Sequence, residues 1–455
     1  MDTGGNSLPS ASCVDGKKRC VCYYYDPGIA HIKLSDEHMM VPARVAMAHS
    51  LVAAYGMLDS MRRLRTRPAT ESEIRRFHSP EYVDLLRDLT PESYDHGVLG
   101  RLKDDDHGLG GCIECPPFDR LWNYCRGYAG GSLAAARALA GGESDVAINW
   151  SGGMHHACAA KASGFCYVND IVLAINELLG AGAGAFRRVL YVDVDAHHGD
   201  GVQEAFADSD RVMTLSFHRY GKTPHGGKFF PGTGLVSEIG RGAGEHYTVN
   251  VPMDAGVHDD VYQSLFKPIV SKAMEVFDPE AVVLQCGADS LSGDRLGSME
   301  LSVRGHAECV SFLRGFNRPL LLLGGGGYTI NHVASSWCYE TAVAIGKERD
   351  LPDEIPKHGY DLFYMNQGNK LHYSVSEATV NSKLLKKAAE TKQIVLEHLS
   401  QIKAVPSVQF MQRRGVDAGD DLYYECAPSL EEDEPMQRLH RLCHAVGQGK
   451  RLKLK

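Results

Sequence analysis

Short apolar runs recur along the chain, separated by stretches with helical periodicity. The runs Arg19–Tyr25, Val146–Trp150, Val189–Asp195, Val212–Phe217, Ala281–Gln285 and Leu320–Leu323 read as strands. Residues 41–65 and 120–140, rich in Ala, Met and Leu, read as helices. Strands that are apolar throughout and alternate with helices make a parallel sheet covered on both faces. The expected fold class is α/β: one domain with a central, largely parallel β-sheet flanked by helices on both faces. The expected bounds are a disordered tail over 1–18, the main domain over 19–400 and a partly mobile extension over 401–455. That extension turns acidic at Glu431–Glu434 and basic at Lys450–Lys455. No repeat of 20–50 residues is visible.

The polar residues that interrupt this pattern carry the chemistry. Asp193 and Asp195 alternate onto one face of an otherwise apolar strand. Burying two acids costs several kcal/mol unless a cation or donors meet them. His197, His198 and Asp200 follow immediately, and a mixed carboxylate and imidazole set suits zinc or another divalent transition metal. Other strands deliver reactive groups at the same end, where ligands sit in open parallel sheets. These are His155 and His156 after Gly152-Gly-Met, Asp289 after Gln285-Cys-Gly-Ala, and Tyr328 after four glycines. The run Gly180-Ala-Gly-Ala-Gly184 reads as a helix-ending turn rather than a phosphate loop, since no strand immediately precedes it.

Composition narrows the class. An apolar share of 44% over 455 residues supports a sizeable core, and 48 glycines supply tight turns at strand ends. The net charge of −9 argues against direct nucleic-acid binding and favours basic partners such as a lysine-rich tail. The N-terminus, Met1 to Ser12, is polar, and no run approaches the ~18 apolar residues that cross a bilayer. With 13 irregularly spaced cysteines, the reading is reduced thiols, in cytosol or nucleus, and no membrane partner. Cys20 and Cys22 stand too close for half of a familiar zinc finger and read as strand residues.

Five segments carry a family resemblance: Gly164-Phe-Cys-Tyr-Val-Asn-Asp170, Val194–Gly201, Phe230-Pro-Gly-Thr-Gly234, Gln285–Leu296 and Leu323–Ile330. Over about Cys20 to Lys347 the chain resembles class I type zinc-dependent histone deacetylases, within the arginase-deacetylase superfamily. The resemblance implies Asp195, His197 and Asp289 as zinc ligands, and His155 and His156 as paired catalytic histidines. Asp193 and Asp200 would be their carboxylate partners, and Tyr328 the transition-state tyrosine. It implies an acyl-lysine tunnel walled by Phe165 and Phe230 beside Gly164, with Leu296 near the mouth and Glu114 at the rim. His198 is assigned to support. A potassium site is implied near Asp193, Asp195, His197, Ser216 and Phe217. The implied activity is hydrolysis of N6-acetyl-lysine in proteins, histone tails first. The implied setting is a corepressor-type complex in the nucleus, with the cytoplasm as a second compartment.

Some positions depart from the family pattern. Glu114 stands where the family has aspartate, and Gly221–Phe229 is longer than usual, rich in glycine and expected to be mobile. Val41 and Asn331 replace a lysine and an arginine of the inositol-phosphate surface, which argues against that bridge, while Arg295 and Arg44 (at the foot of the pocket) remain. Three other readings share parts of the pattern. A deacetylase of acetylpolyamines would use the same catalytic residues. A non-catalytic scaffold would keep the fold, against which the intact site counts. A two-manganese hydrolase would need more bridging carboxylates than this set supplies.

Overall fold

The computed structural model describes residues 19–35, 38–90, 107–109, 114–180, 185–375 and 382–402. Eight strands form one sheet: β1 (Val21–Tyr24), β2 (Arg62–Leu64), β3 (Val146–Asn149), β4 (Val189–Asp193), β5 (Val212–Arg219), β6 (Thr248–Met253), β7 (Ala281–Gln285) and β8 (Leu320–Leu323). Their order is β2-β1-β3-β8-β7-β4-β5-β6, and every neighbouring pair is parallel. After β3 the chain passes to β4, leaving two positions between them that β7 and β8 fill. Such a switch point opens a crevice at the carboxyl ends of the strands.

Alternate residues of β4 feed two apolar layers. Leu190 and Val192 join the helices Ala43–Ala54, Asp259–Phe277, Val303–Arg314 and Ile330–Ile345. Val189 and Tyr191 join Leu121–Ala140 and Asp170–Leu178. Burial on both faces is why these strands read as unbroken apolar runs. The helix Ser382–Leu399 adds Val395 and Leu399 to the first layer.

Several expectations need correction. The helix expected over 41–65 stops at Ala54, where Gly56 takes the left-handed conformation (φ 67°) common just past helix ends. Residues 62–64 then form edge strand β2, whose Arg-Arg-Leu composition hides it from hydrophobic patterning. Strand β6, also at an edge, was not anticipated: it carries Asn250 and Pro252, and proline is tolerated where a strand lacks one neighbour. Strand β4 ends at Asp193 rather than Asp195, and β5 continues to Arg219. The Gly221–Phe229 segment is not a slack loop. Bonds from Phe229 N–H to Gly221 (2.8 Å), Thr223 N–H to Gly227 (2.7 Å) and Gly226 N–H to Thr223 (2.9 Å) fold it into a hairpin.

The expected tail over 1–18, residues 181–184 of the glycine run, and 403–455 of the C-terminal extension lie outside the described residues. The described cysteines are free. No helix among the described residues is long and apolar enough to cross a membrane.

Candidate active site and metal centre

Three buried side chains converge at the ends of β4 and β7. Asp195, His197 and Asp289 each offer one ligand atom, and these atoms lie within 4.8 Å of one another. Asp195 Oδ2 accepts from Gln285 Nε2 and from Gly326 N–H, both at 2.8 Å. Asp289 Oδ1 accepts from Ala196 N–H at 2.7 Å. The His197 ring faces both acids through Nδ1, at 3.2 Å from Asp195 and 2.9 Å from Asp289. Glycine is required around them. A Cβ at Gly287 would stand 1.9 Å from Asp195 Oδ2, and one at Gly326 would stand 2.2 Å from Asp289 Oδ2.

The electrostatics of this trio favour a cation. Burial and the neighbouring Asp195 charge push the Asp289 carboxyl up to about 7. Burial works against charge on Asp195 too, yet His155 and His197 hold it well below the usual carboxylate range. Against its own burial, the two acids lift His197 to about 10. The carboxylates thus draw positive charge into a closed space as a proton on imidazole. A divalent ion brings that charge directly, and the carboxylate and imidazole donors suit zinc with a coordination position left open.

The paired histidines stand beside this trio. The stretch after β3 turns sharply at Gly152 and Gly153, where Asp170 accepts the backbone N–H groups of Gly153 (3.0 Å) and Met154 (2.9 Å). This presents His155 and His156 with ring centroids 3.9 Å apart. His155 Nδ1 lies 2.8 Å from Asp193, which also accepts the Tyr191 hydroxyl at 2.6 Å. His156 Nδ1 lies 2.7 Å from Asp200. The environments differ. Burial lowers both imidazoles, but Asp193 and Asp195 overcome it and lift His155 to about 9. Burial together with the adjacent His155 takes His156 down to about 4.

Tyr328, 7% exposed, follows the glycine run after β8. Burial, then the Asp289 and Asp195 charges, push its hydroxyl well above the usual range, so it stays a protonated donor. Beneath that run Arg44 bonds the carbonyls of Gly325 and Gly327 and stacks over Trp337 at 5.0 Å.

Two phenylalanines stand beside these groups. Phe165 meets Tyr328 edge-on at 5.7 Å, and Phe230 meets His156 edge-on at 4.9 Å. Gly164, at φ +52°, lets the chain pass His156: a Cβ there would stand 2.4 Å from the imidazole. At the rim, His38 packs edge-on to Phe165 at 4.8 Å and its Nε2 lies 3.4 Å from the Glu114 carbonyl. Glu114 is exposed and Leu296 half-buried. His198 bonds Thr233 and Gln203 rather than joining the metal trio. At the expected potassium site Asp193 and Ser216 are register partners and Phe217 is buried, while the Ser216 hydroxyl bonds His218. Val41 packs against the core, and Asn331 donates to Gln367 at 2.7 Å.

Two residues escaped sequence reasoning. Asp294 accepts four backbone N–H groups: Leu296 (2.8 Å), Gly297 (3.2 Å), Tyr328 (2.7 Å) and Thr329 (3.3 Å). It therefore ties the tunnel mouth to the tyrosine loop. Its sequence signal was only a Gly-Asp turn. Phe229 stacks on His197 at 4.9 Å and 8°, and the Arg219 guanidinium lies over the Phe229 ring at 4.0 Å from its centroid. The Phe229-Phe230 pair was visible, but nothing in sequence distinguished their roles.

A parallel α/β sheet with a carboxylate–imidazole trio, two histidine–carboxylate pairs and a tyrosine at its carboxyl edge defines a class of metal-dependent amide hydrolase. Residues 38–344 match the histone deacetylase domain, and the chain belongs to that family. It is 51% identical over 413 residues to histone deacetylase 19 of Arabidopsis thaliana, covering 91% of this chain and 78% of that protein. To histone deacetylase 1 of Oryza sativa subsp. japonica it is 52% identical over 410 residues, covering 90% and 75%. To histone deacetylase 1 of Bos taurus it is 46% identical over 394 residues, covering 87% and 78%.

Proposed function

We propose that this protein is a zinc-dependent lysine deacetylase that hydrolyses N6-acetyl-lysine in histones and other proteins, releasing acetate. The observation that carries this reading is the buried Asp195–His197–Asp289 trio, with two histidine–carboxylate pairs around it, Phe230 edge-on to His156 and Phe165 edge-on to Tyr328. Zinc held by those three side chains supplies Lewis acidity toward a carbonyl and a water.

The chain's own residues supply the rest. Two phenylalanine faces suit the four methylenes of a lysine side chain and leave its backbone outside. One histidine of the pair takes a proton from water as its oxygen bonds the acetyl carbon. Tyr328 donates its hydroxyl hydrogen to the oxygen that gains charge. The carbon–nitrogen bond then breaks, and the pair returns a proton to the leaving amine. Asp193 and Asp200 orient the rings and set which nitrogen faces the substrate.

Around this centre the catalytic domain extends over 19–400. Potassium beside Asp193, Asp195, His197, Ser216 and Phe217 belongs to the same proposal. So do a nuclear location with some cytoplasmic protein, and a corepressor-type assembly without an inositol-phosphate bridge. The test is turnover by the metal-replete full chain against acetylated histone peptides, other acetyl-lysine peptides and acetylpolyamines, with metal content measured alongside. Peptide turnover lost on strong chelation and restored by zinc is expected. Turnover of acetylpolyamines alone would overturn the peptide reading.

A further inference from the structure

The hairpin over 219–230 is rich in basic residues and ends on the two phenylalanines Phe229 and Phe230. Arg219, Lys222 and Lys228 lie in it, with His225 at its tip, and it contains no Asp or Glu in a chain whose net charge is −9. Lys222 and Lys228 pair across the hairpin as an isolated antiparallel bridge and are both exposed. Neither has a carboxylate partner among the described residues. Such a pair of like charges, held opposite each other, is unfavourable unless an anion joins it.

The hairpin's root makes this charge relevant to the reaction. Phe229, which closes it, stacks on His197, and Phe230, the next residue, is a tunnel wall. Arg219, 5% exposed, lies over Phe229 and donates to the Lys222 carbonyl at 2.9 Å. Its Nε and Nη1 have no hydrogen-bond partner among the described residues, and the Asp254 carboxylate acts on its charge, so the exposed Lys222 and Lys228 carry the hairpin's positive character. The Lys228 stem runs along Gly232 of the Phe230–Gly234 turn, where a Cβ would meet its Cδ at 3.3 Å. The Lys228 stem is therefore packed on the turn that contains Phe230. On the Phe165 side, His38 packs edge-on to Phe165 and lies 3.4 Å from the backbone carbonyl of the exposed Glu114.

We infer that this hairpin is a specificity element that selects acetyl-lysine segments with a carboxylate-bearing residue close to the modified lysine, drawn to the Phe230 side by Lys222 and Lys228. The inference rests on the lysine deacetylase reading and adds to it a class of preferred sequence.

The experiment compares kcat and KM for three acetyl-lysine peptides of equal length, carrying Glu, Gln or Lys at the positions flanking the acetyl-lysine. Full-length enzyme, the K222A/K228A double variant and the K222E/K228E double variant are measured at low salt and at about 0.5 M salt. Exposed ion pairs have modest strength, so each lysine is expected to change KM by about 2- to 5-fold. Wild type should take the Glu peptide with a KM several-fold below that of the Lys peptide, at similar kcat. The gap should shrink in high salt, where screening is nearly complete beyond a few ångströms. It should vanish in K222A/K228A and reverse in K222E/K228E. Equal KM for all three peptides in wild type, or a preference that survives in both variants, overturns the inference. No turnover of any peptide by zinc-replete wild type would instead sink the deacetylase reading itself.

Discussion

At the floor of the pocket Asp193, Asp195 and Asp289 are buried and each accepts two or more hydrogen bonds, whereas at the rim Glu114, Lys222 and Lys228 stand exposed on turns. A buried charge that loses a partner costs about 3–5 kcal/mol, while an exposed pair contributes about 0–1 kcal/mol. The floor is therefore intolerant of change, and the rim can vary without harming the centre. Glu114, Lys222 and Lys228 fall in that permissive zone, whereas the buried Phe229, stacked on His197, belongs with the floor.

The sharpest way to break this contrast is Asp289→Ala. It should remove the metal and reduce deacetylation to background, read by metal analysis beside turnover. Deacetylation retained by protein that has lost its metal would refute the assignment of the trio. Next comes Tyr328→Phe. Folding and metal content should persist while kcat falls by about 10²-fold, the usual effect of losing one donor to a developing oxyanion. A near-normal kcat would hand that role to another group.

A smaller effect is expected from Asp294→Asn, which keeps the shape of the side chain but replaces one of the oxygens holding four N–H groups. Hydrogen bonds to a charged group contribute about 1.5–3 kcal/mol, so loosening the Tyr328 loop should lower kcat by about 10-fold with metal content unchanged. Rescue of kcat would not be expected from higher substrate. At the rim, shortening the hairpin between Gly221 and Phe229 together with Glu114→Asp should shift KM or inhibitor-cap preference by a few-fold and leave kcat largely intact. Loss of metal in that variant would mean that Phe229 supports His197 more than the hairpin serves the entrance. Least of all should inositol polyphosphate matter. Val41 packs against the core and Asn331 is engaged with Gln367, so neither offers a cation there. Titration calorimetry and turnover should show neither salt-sensitive binding nor stimulation.

Central strands were legible before the structure because burial on both faces gives unbroken apolar runs, as in Ala281–Gln285 and Leu320–Leu323. Edge strands were not. Arg62–Leu64 and Thr248–Met253 carry the polar residues and the proline that only an edge tolerates, so no periodicity marks them. In the site, residues with costly side chains in apolar settings announced themselves: Asp193, Asp195, the histidine pair and Asp289. Asp294 did not, because a carboxylate in a glycine turn is ordinary until its four backbone donors, from two separate loops, are seen together.

By itself the sequence determined the chemical inventory and its address at strand ends, since two acids in an apolar strand followed by imidazoles have few stable fates besides a metal. Tertiary structure alone decided that β7 and β8 slot between β3 and β4, bringing residues 155, 195, 289 and 328 around one point. It alone decided that Phe229 backs His197 while Phe230 lines the tunnel. The reason is that hydrophobic period reports only whether a strand is buried. Which strand lies beside it depends on packing between residues far apart in the chain, and no local pattern records that choice.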